Sequence, residues 1–306
     1  MSPDRPSRRA FLHALSAATL APALRAGAQQ PVFQGAVELV TVPVTVLDAA
    51  GRLVTDLDRG RFEIRDDGVE RPVAQFTRER VPVSVCLVLD VSDSMMGQRI
   101  EDARLTLSHF LDHLLAAEDE IALTLFNHRP RIVSDWTRSR GAVRAQLDLV
   151  RPSGGTAIYD AIAATLPLFE RRRHPRAAAV VVSDGADTAS DLSTVDLRAR
   201  LLRTDAFVYA IAVDAPDARA STRVNPFALR ELTGPTGGYT EVIADPSELG
   251  PATERLAQEL NSQYVLAYSP ERKPDGQFHS IRVTVRGGDY QVRSRRGYVA
   301  VPRPRS

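Results

Sequence analysis

Two patterns of apolar and polar positions divide the chain, and they predict two kinds of sheet. Up to Pro82 the pattern is alternation. VELVTVPVTVLD (37–48) has a period of two, is rich in Val and Thr, and ends in the turn residues Ala49-Ala50-Gly51. LVTDL, RFEIRDD with a turn at Gly68, and PVAQFTRE follow as further short strands carrying charges at alternate positions. Together they predict a small antiparallel β layer with one wet face. From Val83 the pattern is continuous: VSVCLVLD is apolar without interruption, the mark of a strand buried on both faces of a parallel sheet.

Residues 99–115 follow at helical spacing, with Ile100, Leu107, Leu111, Leu114 and Leu115 on one face. The series continues with strands IALTLF and RIVSDW, helices over 139–150 and 157–170, strand AAAVVVS, a helix over 193–204 and strand AFVYAIAV. A helix over 226–233, a short strand over 239–242 and a helix over 247–259 close it. Strands alternating with helices predict an α/β class: a doubly wound, mainly parallel sheet with helices on both faces. The chain then returns to short strands, QYVLAYSP, HSIRVTVR, YQVRSRR and GYVAV, separated by Pro-Asp-Gly and Gly-Gly-Asp turns. Neither β flank has enough strands to be stable alone in water. The two are therefore expected to pack together, residues 36–80 with 263–300, making the α/β domain (82–260) an insertion between them. The tail VPRPRS reads as disordered.

Composition changes this picture little. The 306 residues are 43% hydrophobic and 25% charged, an ordinary globular balance. With 39 basic and 38 acidic residues, the net charge of +1 supplies no field to attract nucleic acid or an anionic membrane. The single Cys86 allows no intrachain disulfide, and its apolar setting reads as a buried small hydrophobe. The first thirty residues are a different matter. Ser7-Arg8-Arg9-Ala10-Phe11-Leu12 resembles the twin-arginine export signature, and Phe11 to Leu24 is a mild apolar stretch too short for a permanent span. Ala26-Gly27-Ala28 supplies a small-residue cleavage pattern, so residues 1–28 are expected to be a signal peptide removed before Gln29. The mature chain would then be periplasmic, secreted or surface-exposed, with no integral membrane span and no lipid-bearing cysteine.

Candidate chemistry gathers at the carboxyl ends of the buried strands, where open α/β sheets bind ligands. The first such end reads Asp90-Val91-Ser92-Asp93-Ser94. One carboxylate and two hydroxyls alternate along a turn, and an oxygen-only set suits a hard cation such as Mg²⁺, Ca²⁺ or Mn²⁺. Taken alone, such a turn is as readily a helix cap. Two further loops raise the specificity: Ser153-Gly154-Gly155-Thr156 before a helix, and Ser183-Asp184-Gly185-Ala186-Asp187 after a strand. The glycines are expected to let backbone approach a ligand closely.

These three loops, in this order, resemble the metal-ion-dependent adhesion site of the von Willebrand factor A superfamily. That site comprises D-x-S-x-S, a Thr in a second loop and an Asp in a third, all present here. The resemblance implies that Ser92, Ser94 and Thr156 contact a divalent cation, with Asp90 and Asp184 acting directly or through water. It also implies a coordination position left for an acidic residue of a protein partner. The flanks are similar to exported von Willebrand factor A-related proteins abundant in acidobacteria, a family with no biochemical activity to carry over. Asp93 stands where Gly is common in the superfamily and is expected to face solvent, the alternative being a supporting carboxylate that enlarges the site's negative charge and favours Ca²⁺. Gly155, Asp187 and Asp160 are expected to support the site rather than to ligate.

Other features are set aside. His109 and His113 have the spacing of a zinc-protease helix, but no third ligand follows, so they read as an exposed helix face. The run from Glu170 to Arg176 reads as a solvated helix end, and Arg293, Arg295 and Arg296 as exposed strand residues. The expected function is cation-dependent protein binding rather than catalysis. Metal-assisted hydrolysis, which would need Asp93 or Asp187 as base, and a purely structural metal are the alternatives.

Overall fold

The computed structural model describes residues 39–184, 186–213, 225–271 and 274–300. The expected signal peptide and the VPRPRS tail lie outside them. The six strands expected within the α/β domain form one sheet: β5 (Val83–Asp90), β6 (Glu120–Phe126), β7 (Pro130–Thr137), β8 (Arg176–Ser183), β9 (Phe207–Val213) and β10 (Thr240–Ile243), in the order β10-β9-β8-β5-β6-β7. All neighbours are parallel except β6 and β7, which form an antiparallel pair.

Alternation along the strands feeds two cores. Val85, Leu87 and Leu89 of β5 pack with α1 (Gln98–His109), α2 (Arg140–Asp148) and α6 (Leu249–Ser262). Cys86 and Val88 pack on the other face with α3 (Ile158–Phe169), α4 (Thr194–Leu201) and α5 (Pro226–Thr233). Both faces are covered, as the continuous apolar runs require. Cys86 is fully buried, and burial pushes its thiol up to about 12. His109 and His113 are exposed and lie on one side of the first helix, which continues past His109 as a π-helical turn over Phe110–Leu114. Among the described residues no helix is long and apolar enough to cross a membrane.

The flanks form two four-stranded sheets instead of one layer. Their orders are β13-β1-β11-β4 and β14-β12-β2-β3, from β1 (Val40–Leu47), β2 (Phe62–Asp66), β3 (Val69–Arg71), β4 (Gln75–Thr77), β11 (Tyr264–Tyr268), β12 (Phe278–Val285), β13 (Gln291–Arg293) and β14 (Gly297–Val299). Each sheet mixes strands from before and after the α/β domain, and the inward residues of both, including Val42, Ile64, Leu266 and Val283, share one core. LVTDL does not become a strand: Leu53 makes a single bridge to Leu47, and Leu57 N donates to Tyr264 Oη at 2.9 Å.

β1 also departs from the expected wet face, because its second face meets the α/β domain. Thr45 Oγ1 donates to Glu259 of α6 at 3.1 Å, and Tyr209 Oη of β9 donates to the same carboxylate at 3.1 Å. Arg293 pairs with Glu259 from β13 and lies 4.6 Å from the Tyr239 ring centroid. This buried polar junction ties both flanks to the last helix. It also corrects the expectation that Arg293 is exposed.

Candidate metal site

Chain order places the site. After β5 the chain moves to β6 and β7 on one side, then returns to β8 on the other side of β5. The crevice between β5 and β8 is therefore the point where winding reverses, and loops leaving the two strands diverge there. Asp90 ends β5, and Asp184 follows the last residue of β8.

Asp90 is completely buried. Its Oδ1 accepts Ser92 N–H at 2.8 Å and its Oδ2 accepts the Ser183 hydroxyl at 2.5 Å. Despite these bonds, burial dominates and pushes its carboxyl up to about 7. The chain then turns through a short 3-10 segment, Asp93–Met95, anchored by buried Met95. This turn brings Ser94 Oγ within 3.0 Å of Ser92 Oγ and lets it donate to Asp184 Oδ1 at 2.6 Å. Four of the five expected donors are thereby linked. Thr156 is 5% exposed and its loop docks through backbone: Gly154 O accepts Asp93 N–H at 2.9 Å, and Val91 O accepts Ser153 N–H at 2.8 Å. Its own hydroxyl is engaged by no protein group among the described residues.

The supporting residues have specific work. Asp93 is exposed. Asp187 Oδ1 accepts Ser190 Oγ–H at 2.6 Å and Tyr159 N–H at 3.3 Å, while Asp160 accepts the N–H groups of Asp191 and Leu192 at 2.9 and 3.0 Å. Both carboxylates hold the loop after β8 against the start of α3. The glycines serve neighbouring loops as well: at Gly154, with φ of +81°, a β-carbon would lie 2.6 Å from His128 Nδ1, and at Gly155 it would lie 3.3 Å from Ala189 Cβ.

Two residues escaped the sequence reading. Arg99 of α1 donates to Asp184 Oδ2 at 3.0 Å and to Ser94 O at 2.8 Å, so a guanidinium balances the second buried carboxylate. The only sequence signal was its position, five residues past Ser94 in the first turn of a helix. His128, in the β6–β7 turn, lies against Gly154 across 26 residues and had no local signal. A cleft of about 610 Å³ opens beside it, lined also by Asp160, Ala189 and Asp191.

Elsewhere, Asp66, Asp67 and His279 bring ligand-capable atoms within 4.8 Å of one another in the flank. They are heavily engaged: Tyr268 Oη donates to Asp66 at 3.1 Å, and His279 shares hydrogen bonds with Asp67 at 2.8 Å and Asp275 at 3.0 Å. This network fastens β2 to β12.

An open, mainly parallel six-stranded sheet with helices on both faces is a von Willebrand factor A-like fold. Residues 85–186, a third of the chain, match the family model of the von Willebrand factor type A domain. Over 186 residues it is 25% identical to an uncharacterized protein of Synechocystis sp., covering 60% of this chain and 43% of that one. Over 124 residues it is 28% identical to inter-alpha-trypsin inhibitor heavy chain H2 of Sus scrofa, covering 37% and 13%. The chain thus spans less than half the length of these relatives. A von Willebrand factor type A structure from Catenulispora acidiphila superposes with a TM-score of 0.53 at 13% identity, covering 87% of this chain and 75% of the other, a likeness of fold.

Proposed function

We propose that this chain is an exported protein-binding module that holds its partner through a divalent cation. Asp90, Ser92, Ser94, Thr156 and Asp184 would hold Mg²⁺, with Ca²⁺ or Mn²⁺ satisfying the same preference for hard oxygen ligands. When bound, the cation offers an electrophilic position to a carboxylate of a protein partner. The observation that carries this reading is Ser94 Oγ, which meets Ser92 Oγ at 3.0 Å and Asp184 Oδ1 at 2.6 Å across 90 residues of sequence. Donors from separate loops already converge. The donor chemistry fits as well: Asp90 is buried at the cost of a carboxyl raised to about 7, a penalty that a neighbouring cation relieves. The partner's acidic group, the choice of Mg²⁺ and passage through the twin-arginine route belong to this proposal. So do cleavage after residue 28 and the division into 36–80, 82–260 and 263–300.

The test is calorimetric titration of Mg²⁺ into chelator-treated protein, followed by recovery of envelope proteins on the immobilised chain. Asp90→Ala and Asp184→Ala should abolish both Mg²⁺ binding and Mg²⁺-dependent recovery while the chain stays folded. Equal recovery in EDTA and in Mg²⁺ refutes the proposal. Metal-assisted hydrolysis gains one support in the imidazole of His128 at the rim of the Gly154 loop. Turnover of a phosphate ester that disappears in His128→Ala would favour that second reading.

A further inference from the structure

Five guanidinium groups among the described residues bury an unpartnered Nε, and four of them, Arg71, Arg104, Arg176 and Arg293, bond through their Nη atoms. Arg176, 1% exposed, donates to Val81 O at 2.6 Å and to Gln263 Oε1 at 2.8 Å, and also to Leu260 O. Arg293 is paired with Glu259. Arg295, 8% exposed between β13 and β14, makes no hydrogen bond or ion pair from its guanidinium among the described residues, and its Nε is buried without a partner. Its guanidinium lies over the Tyr298 ring, with the centroid 5.8 Å from Cζ. Burial lowers its pKa, and the carboxylate that most offsets this is Asp205. Asp205 is already bound to Arg172 at 2.6 Å. An unpaired buried charge is the least favourable state for such a group, so its surroundings matter.

Arg295 lines a cavity of about 1140 Å³ where the α3–β8 and α4–β9 connections face the flank strands. Six of the lining residues are arginines and two, Glu170 and Asp205, are carboxylates. Arg200 and Arg203 stand exposed on its wall and pair with no carboxylate among the described residues. Between the cations the lining is apolar, with Val40, Leu166, Phe169, Pro270 and Val299. Pro175 borders the cavity at the amino end of β8, whereas Asp184 follows its carboxyl end. Eight residues of strand set the two regions about 25 Å apart, so this is not part of the metal site.

We propose that this cavity binds a small organic carboxylate with an apolar body. Its carboxylate accepts the planar fork of Arg295, and its body lies along Val40, Phe169 and Val299. One unpaired buried charge calls for a monoanion, and a guanidinium fork matches a carboxylate in two parallel hydrogen bonds. Arg200 and Arg203 raise the local anion concentration at the mouth.

Octanoate is a suitable probe, compared by calorimetry with 1-octanol and inorganic phosphate on the full chain in EDTA. Octanoate should bind one to one, and each comparison compound at least about tenfold more weakly, a difference of about 1.4 kcal/mol. Fluorescence of Trp136, the chain's sole tryptophan, should change on octanoate binding, because its ring lies 5.7 Å from that of Phe169 in the cavity wall. Arg295→Met should weaken octanoate at least about tenfold while leaving the ligand-free melting temperature equal or higher, since it removes an unpaired buried charge. Unchanged octanoate affinity in Arg295→Met overturns the proposal, as does phosphate binding as tightly as octanoate. Should Arg295→Met fail to fold, the wild-type chain decides alone: octanol equal to octanoate, or no saturable octanoate binding, overturns it.

Discussion

Replacing Arg99 with Met separates the two positive charges that Asp184 is able to use. In the cation-free chain Arg99 is the counter-ion: its Nη1 lies 3.0 Å from Asp184 Oδ2, the carboxylate side chain is fully buried and the guanidinium side chain is 38% exposed. Breaking a fully buried pair costs ~3–5 kcal/mol, whereas a surface pair is worth ~0–1 kcal/mol. With one partner buried and the other partly wet, the loss should be about 2 kcal/mol in EDTA. Ser94 still donates to Asp184, which keeps the estimate below the buried limit. If a divalent cation occupies the same charge position, it should restore most of this loss. By linkage the variant should then bind Mg²⁺ more tightly by the same free energy, about thirtyfold in Kd. The assay is a pair of denaturation curves, with EDTA and with saturating Mg²⁺, for wild type and Arg99→Met, together with Mg²⁺ titration of both. A stability loss of equal size in both conditions, with unchanged Mg²⁺ affinity, would show that Arg99 and the cation do not share Asp184 and would refute this reasoning.

Three further outcomes follow from the geometry. Gly154→Ala should cost about 1 kcal/mol, because φ of +81° is unfavourable for a β-carbon; combining it with His128→Ala in a denaturation cycle should recover little, since exposed His128 is free to swing aside. Glu259→Leu leaves Arg293 half-buried and unpaired and should cost about 2–3 kcal/mol in urea unfolding, whereas Glu259→Leu with Arg293→Met should recover a large part of it. Cys86 should resist an aromatic disulfide reagent at pH 8 except at the rate of global unfolding. Its native thiol titrates near 12 rather than 9.0, so little thiolate forms until the chain opens. Rapid labelling of the native chain would contradict that placement.

The α/β domain was legible because its four central strands, β5, β6, β8 and β9, are buried apolar runs separated by stretches of helical spacing, a signal that needs no distant partner to interpret. Two of the three oxygen-bearing loops were legible for a related reason: they leave the ends of β5 and β8, and parallel strands share one carboxyl edge, while the third, between α2 and α3, was legible only by its glycines and Thr156. What those loops lean on was not. Arg99 belongs to a helix whose phase relative to Asp184 depends on the turn at Gly97, and His128 reaches Gly154 from another strand pair. The flanks were harder still. Val40–Leu47 alternates like a strand with one wet face, yet Thr45 is buried because α6 lies over it. Arg293 and Arg295 look like solvent residues in YQVRSRRGYV, and only the closure of the β sheets on the α/β domain turns them inward. Charge in a short strand carries no sign of which side another element will occupy.

The interleaving of the flanks also sets a clock on biosynthesis. Val40 pairs with Tyr268 and Thr45 bonds to Glu259, so β1 has to wait for more than two hundred residues of later chain before its hydrogen bonds close. At ~5–20 residues per second of translation that interval is about 10–45 s. Throughout it, a strand with a solid valine face stands with open edges, the state most prone to self-association. The α/β domain, whose strand pairs are nearer in sequence, is able to fold within the same interval and present α6 as a surface on which the waiting strand settles. Conditions that slow the last forty residues should therefore show first as aggregation, well before any loss of the metal-loop geometry.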